Sequence, residues 1–420
     1  MKRSMLIALL AICQFSIPFD AFSQAWTTAV PFLLISPSVE SNGMGGVMLS
    51  VTPTSPSAMI FNPAQLGMMS QTHTFSTDFY SDVTLWLPHF HLSDLWINSY
   101  SFMYGLKLDS SLHNNMSVGI GYSRVLLNLG EFIATTENGG QILGSFHGQE
   151  TSDNYSLGFA MDVGVRLGFG TTIKKINSDL GMIGLGTHAG PLNADVTAFD
   201  LGIIAKAPLI DLLFKEEAEQ FINFIPTFDF SLAYAINNIG GNVSYGDAAQ
   251  SDPLPRNARL GWSIEAGIKY DFNAQSYTLL TLTFAREAEN ILATRTPNGG
   301  IGDYKGPIGD IDIYQNLILS KQKGYVEVRK GFAIGFLETF TYRQGSYNGD
   351  GNLNYTTEGY SLSSRGIVKL IASTLKEENG FDLRKYFLEH FEIRFSQSEY
   401  SNHDLLGGTK FNNIIFSFYQ

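Results

Sequence analysis

The feature that most constrains the fold is an alternation of large apolar residues with small ones, which recurs along the chain. Large side chains take every second position in at least six segments, and the positions between them hold mainly Gly, Ser and Ala. A period of two is the pattern of a β-strand whose two faces meet different surroundings. Three of these segments carry their large residues at Tyr100, Phe102, Tyr104, Leu106; Met116, Val118, Ile120, Tyr122; and Tyr155, Leu157, Phe159, Met161.

The composition of the second face indicates what kind of sheet the strands form. In a soluble β-sandwich the polar face meets bulk water and is rich in Lys, Glu and Thr. A face of Gly, Ser and Ala with scattered charges suits the crowded interior of a closed barrel instead. Closure also pairs every backbone group, as hydrocarbon requires. The sequence therefore predicts an all-β fold: a transmembrane antiparallel β-barrel of about 14 strands, the number that 420 residues would supply.

Composition supports the prediction of a barrel and argues against nucleic acid as a partner. Charged residues make up 16% of the chain and aromatic residues 13%, which suits aromatic girdles at two membrane interfaces. The mean hydropathy of +0.01 is too low for a bundle of transmembrane helices. A net charge of −12 argues against nucleic acid as a partner. We expect outer-membrane lipid to be the principal partner.

The first 23 residues have the features of a secretory signal peptide. Lys2 and Arg3 precede an apolar stretch at residues 5–17, and small residues at Ala21 and Ser23 predict cleavage after Ser23. The chain's single cysteine, Cys13, lies in this leader, so the mature protein offers no thiol for a disulfide, a metal site or catalysis. We expect an integral protein in the outer membrane of a Gram-negative bacterium.

The rest of the chain divides into three kinds of segment. Residues 24–70 alternate poorly and are rich in Gly and Pro, which predicts an N-terminal plug inside or under the barrel. Residues 71–420 would form the barrel. Amphipathic patterns predict helical insertions near 207–225 and 369–390. Polar, Gly-rich composition predicts loops at 129–153 and 181–193.

No motif in the sequence indicates a catalytic, cofactor or metal site. His89 and His91 lie two residues apart, but no third ligand stands near them. The glycine pairs near Gly168 and Gly184 lack the remainder of a phosphate-binding loop. A triad of dispersed Ser, His and Asp side chains at a barrel rim stays open. The prediction is that the chain is not an enzyme and binds neither a cofactor nor a metal.

Two blocks of the sequence resemble the PorV/PorQ family of outer-membrane barrels, whose fold is similar to that of FadL. The first block follows an Ile35-Ser36-Pro37 start, and the second contains an Asn-Ile-Gly run and an Arg-Leu-Gly run. The closing strand of that family would correspond to residues 411–419. The matching positions are Gly43, Met44, Gly45, Asn62, Pro63, Ala64, Asn238, Ile239, Gly240, Pro255, Arg259 and Gly261. Their residue types suggest structural roles, such as tight turns and close backbone approach.

The resemblance implies a barrel with an N-terminal plug and leaves two functions open. The favoured one is a component of type IX protein secretion, which would receive or hold exported cargo proteins at the cell surface beside other translocon subunits. The alternative is a FadL-like transporter of hydrophobic small molecules. The alternative requires an apolar pocket beside the plug, together with an exit through the wall.

Overall fold

The computed structural model describes twelve stretches of the chain. They are residues 28–90, 93–110, 113–135, 142–183, 190–213, 223–245, 251–272, 275–295, 301–349, 353–374, 383–403 and 405–420. The predicted signal peptide, residues 1–23, lies outside them. Within these stretches, no helix combines the length and the hydrophobicity needed to cross a membrane.

Fourteen strands form a closed antiparallel barrel, as predicted. Each strand pairs with the next in sequence, and the first strand pairs with both the second and the last, which closes the sheet. The strands are β1 His73–Tyr80, β2 Trp96–Ser110, β3 His113–Thr135, β4 Ile142–Asp162, β5 Arg166–Ile183, β6 Gly190–Pro208, β7 Phe224–Gly240, β8 Asn257–Phe272, β9 Gln275–Ile291, β10 Val326–Phe336, β11 Phe340–Asn348, β12 Asn354–Ser363, β13 Phe391–Ser401 and β14 Lys410–Tyr419.

Because the strand number is even, β1 begins and β14 ends at the same end of the barrel, which we call the inner rim. The opposite end is the outer rim. Short strand pairs extend the outer rim at Asn242–Ser244 with Ser251–Pro253 and at Ala293–Arg295 with Ile301–Tyr304. The two-residue strand Thr84–Leu85 pairs with the start of β2.

The alternation in the sequence corresponds to the two faces of the wall. On β2 and β4 the large residues Tyr104, Leu106 and Leu157 are exposed outward, whereas Ser101 and Ala160 are buried inside. The outward apolar surface runs around the barrel and far exceeds the patches that soluble monomers expose. This face therefore contacts lipid, and the small face encloses the interior.

The loops predicted at 129–153 and 181–193 are wrong for most of their length. Strand β3 continues to Thr135 and β4 starts at Ile142, so the two form a tall hairpin at the outer rim. Likewise β5 reaches Ile183 and β6 starts at Gly190. Beyond the apolar band a strand keeps its backbone ladder but has no need to alternate, so composition alone resembles that of a loop.

The helical insertions lie at the inner rim and differ from their predicted bounds. In place of a helix over 207–225, β6 reaches Pro208, helix α3 spans Leu209–Leu213 and β7 starts at Phe224; residues 214–222 lie outside the described stretches. The second insertion contains α4 Arg365–Thr374 and α5 Leu383–His390. Its residues 375–382 also lie outside the described stretches. Strand alternation at 207–208 and 224–225 overlaps the amphipathic helical pattern, which explains the misplaced ends.

Residues 28–72, which we call the hatch, fill the middle of the barrel. They contain two helices, α1 Val39–Gly43 and α2 Ala64–Met69, and 3₁₀ turns at Pro31–Leu34 and Pro56–Ile60. Helix α1 packs against β11–β14 and α2 against β3–β6. The two helices thus lie against opposite sides of the wall.

Candidate binding cavities

A row of glycines seats the hatch against one side of the barrel. Five inward-facing glycines pair directly across β2–β6, so the wall there has no side chains at that level. A Cβ on Gly158 would lie 2.5 Å from the backbone nitrogen of Gly67, and one on Gly170 would collide with the backbone of Pro63 and Ala64. Glycine is required here for close backbone approach. The five are Gly105, Gly119, Gly158, Gly170 and Gly202.

The first motif block forms the contacts between the hatch and the wall. Asn62 donates from Nδ2 to the Ile203 carbonyl at 3.2 Å, and its Oδ1 accepts the Ala64 N–H at 3.0 Å, where α2 starts after Pro63. Gly45, with φ of 72°, donates its N–H to Thr357 Oγ1 at 2.8 Å. Gly43, Met44 and Gly45 lie against β10–β12, where Gly331 and Gly345 leave room for Met44. All six residues of this block are buried.

Part of the second motif block forms a β-bulge in β7. Asn238 has a φ of 59°, and the pairing with β6 shifts by one residue there. Its N–H donates to Asp200 Oδ1 at 2.8 Å, its Oδ1 accepts from Lys174 Nζ at 2.8 Å, and its Nδ2 donates to the Pro255 carbonyl at 3.1 Å. Ile239 and Gly240 follow the bulge and pair with Phe199 and Ala198. The β6–β7 ladder resumes on both sides, so the bulge leaves the wall closed at this point.

The remainder of the second block belongs to a chain of buried charges. Arg259 donates to Glu287 Oε2 at 2.7 Å and to the Gly46 carbonyl at 2.9 Å. Gly261 lies beside Glu287, and a Cβ there would be 2.7 Å from the Glu287 Cγ. On the next strand Arg329 lies 2.6 Å from Glu289 and 2.9 Å from Glu327. Each guanidinium thus already has a carboxylate partner, so neither is left as a free cation.

An outer cavity of about 230 Å³ lies between the hatch and β7–β13, toward the outer rim. Its lining is mainly apolar and aromatic. Tyr355 stacks between Tyr347 and Tyr400 with centroid distances of 4.7 Å on both sides, and Trp86 approaches Tyr400 edge-on. The paired charges of Arg259 and Arg329 form its floor. The apolar members are Leu33, Leu34, Ile35, Ile60, Phe61, Trp86, Tyr347, Leu353, Tyr355, Tyr400 and Leu406.

An inner cavity of about 270 Å³ lies toward the inner rim, against β8–β14. By residue type, hydroxyl-bearing and charged residues outnumber apolar ones in its lining, with Arg343, Arg365 and Arg394 on one side. Its hydroxyl members are Thr52, Thr54, Thr278, Thr281, Thr283, Thr339, Thr341, Ser361, Ser363 and Tyr419. Such a lining offers many hydrogen-bond partners to water.

The hatch segment 43–48 separates the two cavities. Met44 lines the inner cavity and Gly46 lines the outer one. Met48 donates its N–H to Glu287 Oε1 at 2.7 Å, which fixes the segment to β9. A molecule that passes directly from the outer cavity to the inner one therefore meets this segment.

No local sequence pattern indicated the aromatic lining or most of the charge network. One signal was available, because Glu287 and Glu289 on β9, and Glu327 and Arg329 on β10, lie two residues apart and so share the inner face. Of the histidine pair, His89 lies in a 3₁₀ turn at Pro88–Phe90 and is exposed, and His91 lies outside the described stretches. In the part of the chain that the structure covers, no three His, Cys, Asp or Glu side chains are placed to hold a metal ion.

Comparison with known proteins gives no family. No family model and no curated protein matches the sequence. Solved structures to which the chain is similar include the toluene transporter TbuX of Ralstonia pickettii (13% identity, TM-score 0.45, 91% of this chain and 98% of that chain) and the toluene transporter TodX of P. putida (14%, 0.38, 91% and 98%). A FadL homologue of Pseudomonas aeruginosa is also similar (12%, 0.36, 92% and 98%).

At TM-scores below 0.5 these similarities carry no argument about what the chain binds. The fold follows from the chain's own strand pairing, which makes it a closed 14-stranded antiparallel barrel with a hatch inside.

Proposed function

We propose that this protein is an outer-membrane barrel that binds an uncharged hydrophobic small molecule in the outer cavity and passes it inward. The observation that carries the proposal is the lining of that cavity, where aromatic and aliphatic side chains surround a floor of charges that are already paired. The proposal assigns the chain a role in binding and transport without catalysis.

The size of the cavity favours a small ligand. An apolar cavity of about 150 Å³ is known to hold a benzene-sized molecule, and the outer cavity is somewhat larger. An anionic ligand would lie beside Glu289 and Glu327, and each cation among the described lining residues is already paired, so charge disfavours acids of the same shape. A neutral single-ring hydrocarbon fits both conditions.

The test compares toluene with benzoate, which has a similar shape but carries a charge. Binding to the purified barrel is measured by calorimetry, and we expect toluene to bind and benzoate to bind at least about tenfold more weakly. Equal binding of the two would overturn the assignment of a neutral ligand.

A matched pair of variants locates the site. Leu34→Asp places a carboxylate in the cavity lining and should weaken toluene binding by about tenfold or more. Leu337→Asp makes the same change in the exposed β10–β11 turn and should leave binding unchanged. If both variants bind toluene like the original protein, the outer cavity is not the site.

The role in type IX secretion stays a prediction from the resemblance. Most of the motif residues that carry the resemblance are buried in the hatch, the bulge and the ion-pair network, and this burial favours an architectural role for them. Co-purification of the native barrel with secreted proteins in mild detergent tests this role. Unchanged secretion in a deletion strain would remove it.

A further inference from the structure

The segment 305–325, which we call the exterior loop, lies on the outside of the barrel. It starts at the outer rim between β9 and β10 and folds back over the outward faces of β7–β10. Tyr234 donates from Oη to the Pro307 carbonyl at 2.6 Å, Trp262 from Nε1 to the Leu317 carbonyl at 3.3 Å, and Asn290 from Nδ2 to the Tyr325 carbonyl at 3.2 Å. Leu317 is buried against the wall.

Two cations face outward beside this loop. Arg286 on β9 and Lys330 on β10 are directly opposite each other in the register, and their neighbours Glu287 and Arg329 point inward. Directly opposed side chains have Cβ atoms about 5 Å apart, and like charges in that position repel. The structure therefore holds two positive charges together on the outer wall.

Nothing in the described part of the chain neutralises this pair. Arg286 lies over the rings of Trp262 and Phe284, at 5.7 and 5.2 Å, and donates to the carbonyls of Leu317 and Ile318. Its Nε is buried without a hydrogen-bond partner. No carboxylate among the described residues lies within 4.0 Å of either cation.

The residues around Arg286 and Lys330 indicate which part of the membrane the two cations face. Phe284 lies two residues from Arg286, and Phe332 lies two residues from Lys330. Both phenylalanines belong to the exposed apolar band. On the exterior loop Ile313, Tyr314 and Ile318 are 61%, 60% and 51% exposed. The pair thus lies at the edge of the lipid-facing band, at the depth of lipid headgroups.

We propose that Arg286 and Lys330 bind the phosphate of an anionic membrane lipid, whose acyl chains lie along Phe284, Phe332 and the exterior loop. The phosphate removes the repulsion between the two cations, because its negative charge lies between them. The site lies on the outer wall and does not depend on what the cavity binds.

The test counts bound lipids by native mass spectrometry of the barrel in neutral detergent. Dioleoyl phosphatidylglycerol should bind more tightly than dioleoyl phosphatidylcholine. Lys330→Gln should weaken phosphatidylglycerol binding about fivefold, the equivalent of ~1 kcal/mol for one basic residue at a membrane surface. Lys175→Gln, which removes an outward lysine of β5 that lies over Tyr155 of β4, should leave binding unchanged.

Two results would overturn the proposal: equal binding of both lipids to the unsubstituted barrel, or equal loss in the two lysine variants. Circular dichroism verifies that each variant is folded. A second measurement needs no variant, because phosphatidylglycerol binding to the unsubstituted barrel should fall as salt is raised. Competition by inorganic phosphate as strong as that by the lipid would make this a phosphate site and not a lipid site.

Discussion

The hatch is held in two different ways by the two sides of the barrel. Along β2–β6, which we call the glycine side, five paired glycines let the hatch backbone lie directly on the wall. Along β8–β13, which we call the charged side, Arg259, Glu287, Glu289, Arg329 and Glu327 form ion pairs. Both cavities lie mainly against the charged side.

The difference shows how one plug can be anchored and still leave room beside it. Backbone packed on backbone leaves no space for a ligand, so the glycine side acts as a fixed seat. On the charged side the hatch backbone also lies against Gly345 and Gly359, but long charged side chains hold the hatch elsewhere and leave gaps between them. The space beside the hatch therefore lies along the charged side.

The largest expected loss of stability follows when an ion pair of the charged side is removed. Arg329→Met leaves the partly buried Glu327 without its partner and leaves the buried Glu289 with Arg259 at 3.7 Å as its remaining cation, which should lower the free energy of unfolding by about 3–5 kcal/mol. Urea unfolding in lipid bilayers measures it. Arg124→Met removes a half-exposed pair with Asp153 on β3 and β4 and should cost under ~1 kcal/mol. Equal losses in the two variants would contradict a special role for the buried network.

A larger side chain on the glycine side should destabilise the protein by overpacking. Gly170→Val drives side-chain atoms into the backbone of Pro63 and Ala64, which should lower the unfolding free energy by about 3 kcal/mol. The same change at Gly241, where no atom lies within 4 Å of an added Cβ, is the control and should be tolerated. Limited proteolysis should cut the hatch in the first variant only. An uncut hatch in Gly170→Val would mean that close backbone packing at Gly170 is not needed to hold the hatch.

The bulge in β7 marks the border between the two sides. Asn238→Ala removes side-chain hydrogen bonds to Lys174 and Pro255 and keeps a Cβ at positive φ, so a loss of about 2 kcal/mol is expected. Asn238→Gly loses the same hydrogen bonds but not the backbone strain, so its free energy of unfolding should fall by only about 1 kcal/mol. Identical unfolding curves for the two variants would show that the left-handed conformation is unimportant there.

The smallest effect concerns the exterior loop, which covers part of the charged side from outside. Asp312 accepts the Gln315 N–H at 3.1 Å and lies 3.2 Å from Lys323 Nζ, and these contacts hold its pKa below the usual value. Its stabilisation of the turn Ile313–Ile318 is thus present above the ordinary aspartate pKa and is lost as pH falls through the lowered one.

Hydrogen-exchange protection factors of residues 313–318 measure that loss. We expect protection to decrease in acid for the original protein, whereas Asp312→Ala should show low protection at every pH. A variant that keeps the pH dependence of the original protein would assign it to another group.

The sequence predicted the wall better than the interior. Alternation such as Tyr104, Leu106 against Gly105 identified both faces of each strand, because a period of two is a local property. It also marked Asn62 and Arg259 as notable residues, although their partners were not apparent. Asn62 bonds to Ile203, 141 positions away, and Met48 to Glu287, 239 positions away. Such pairings depend on closure of the whole barrel.

What the sequence by itself determined is a sheet with a large apolar outside and a small inside, since side-chain direction in a strand follows from position alone. Only the tertiary structure decided which part of the inside is filled by backbone and which is left as cavities. Glycines on five neighbouring strands become one surface only after the strands are placed in register, and the charges become pairs only when the hatch lies between them. Those two facts arise from contacts between distant segments, which no local pattern records.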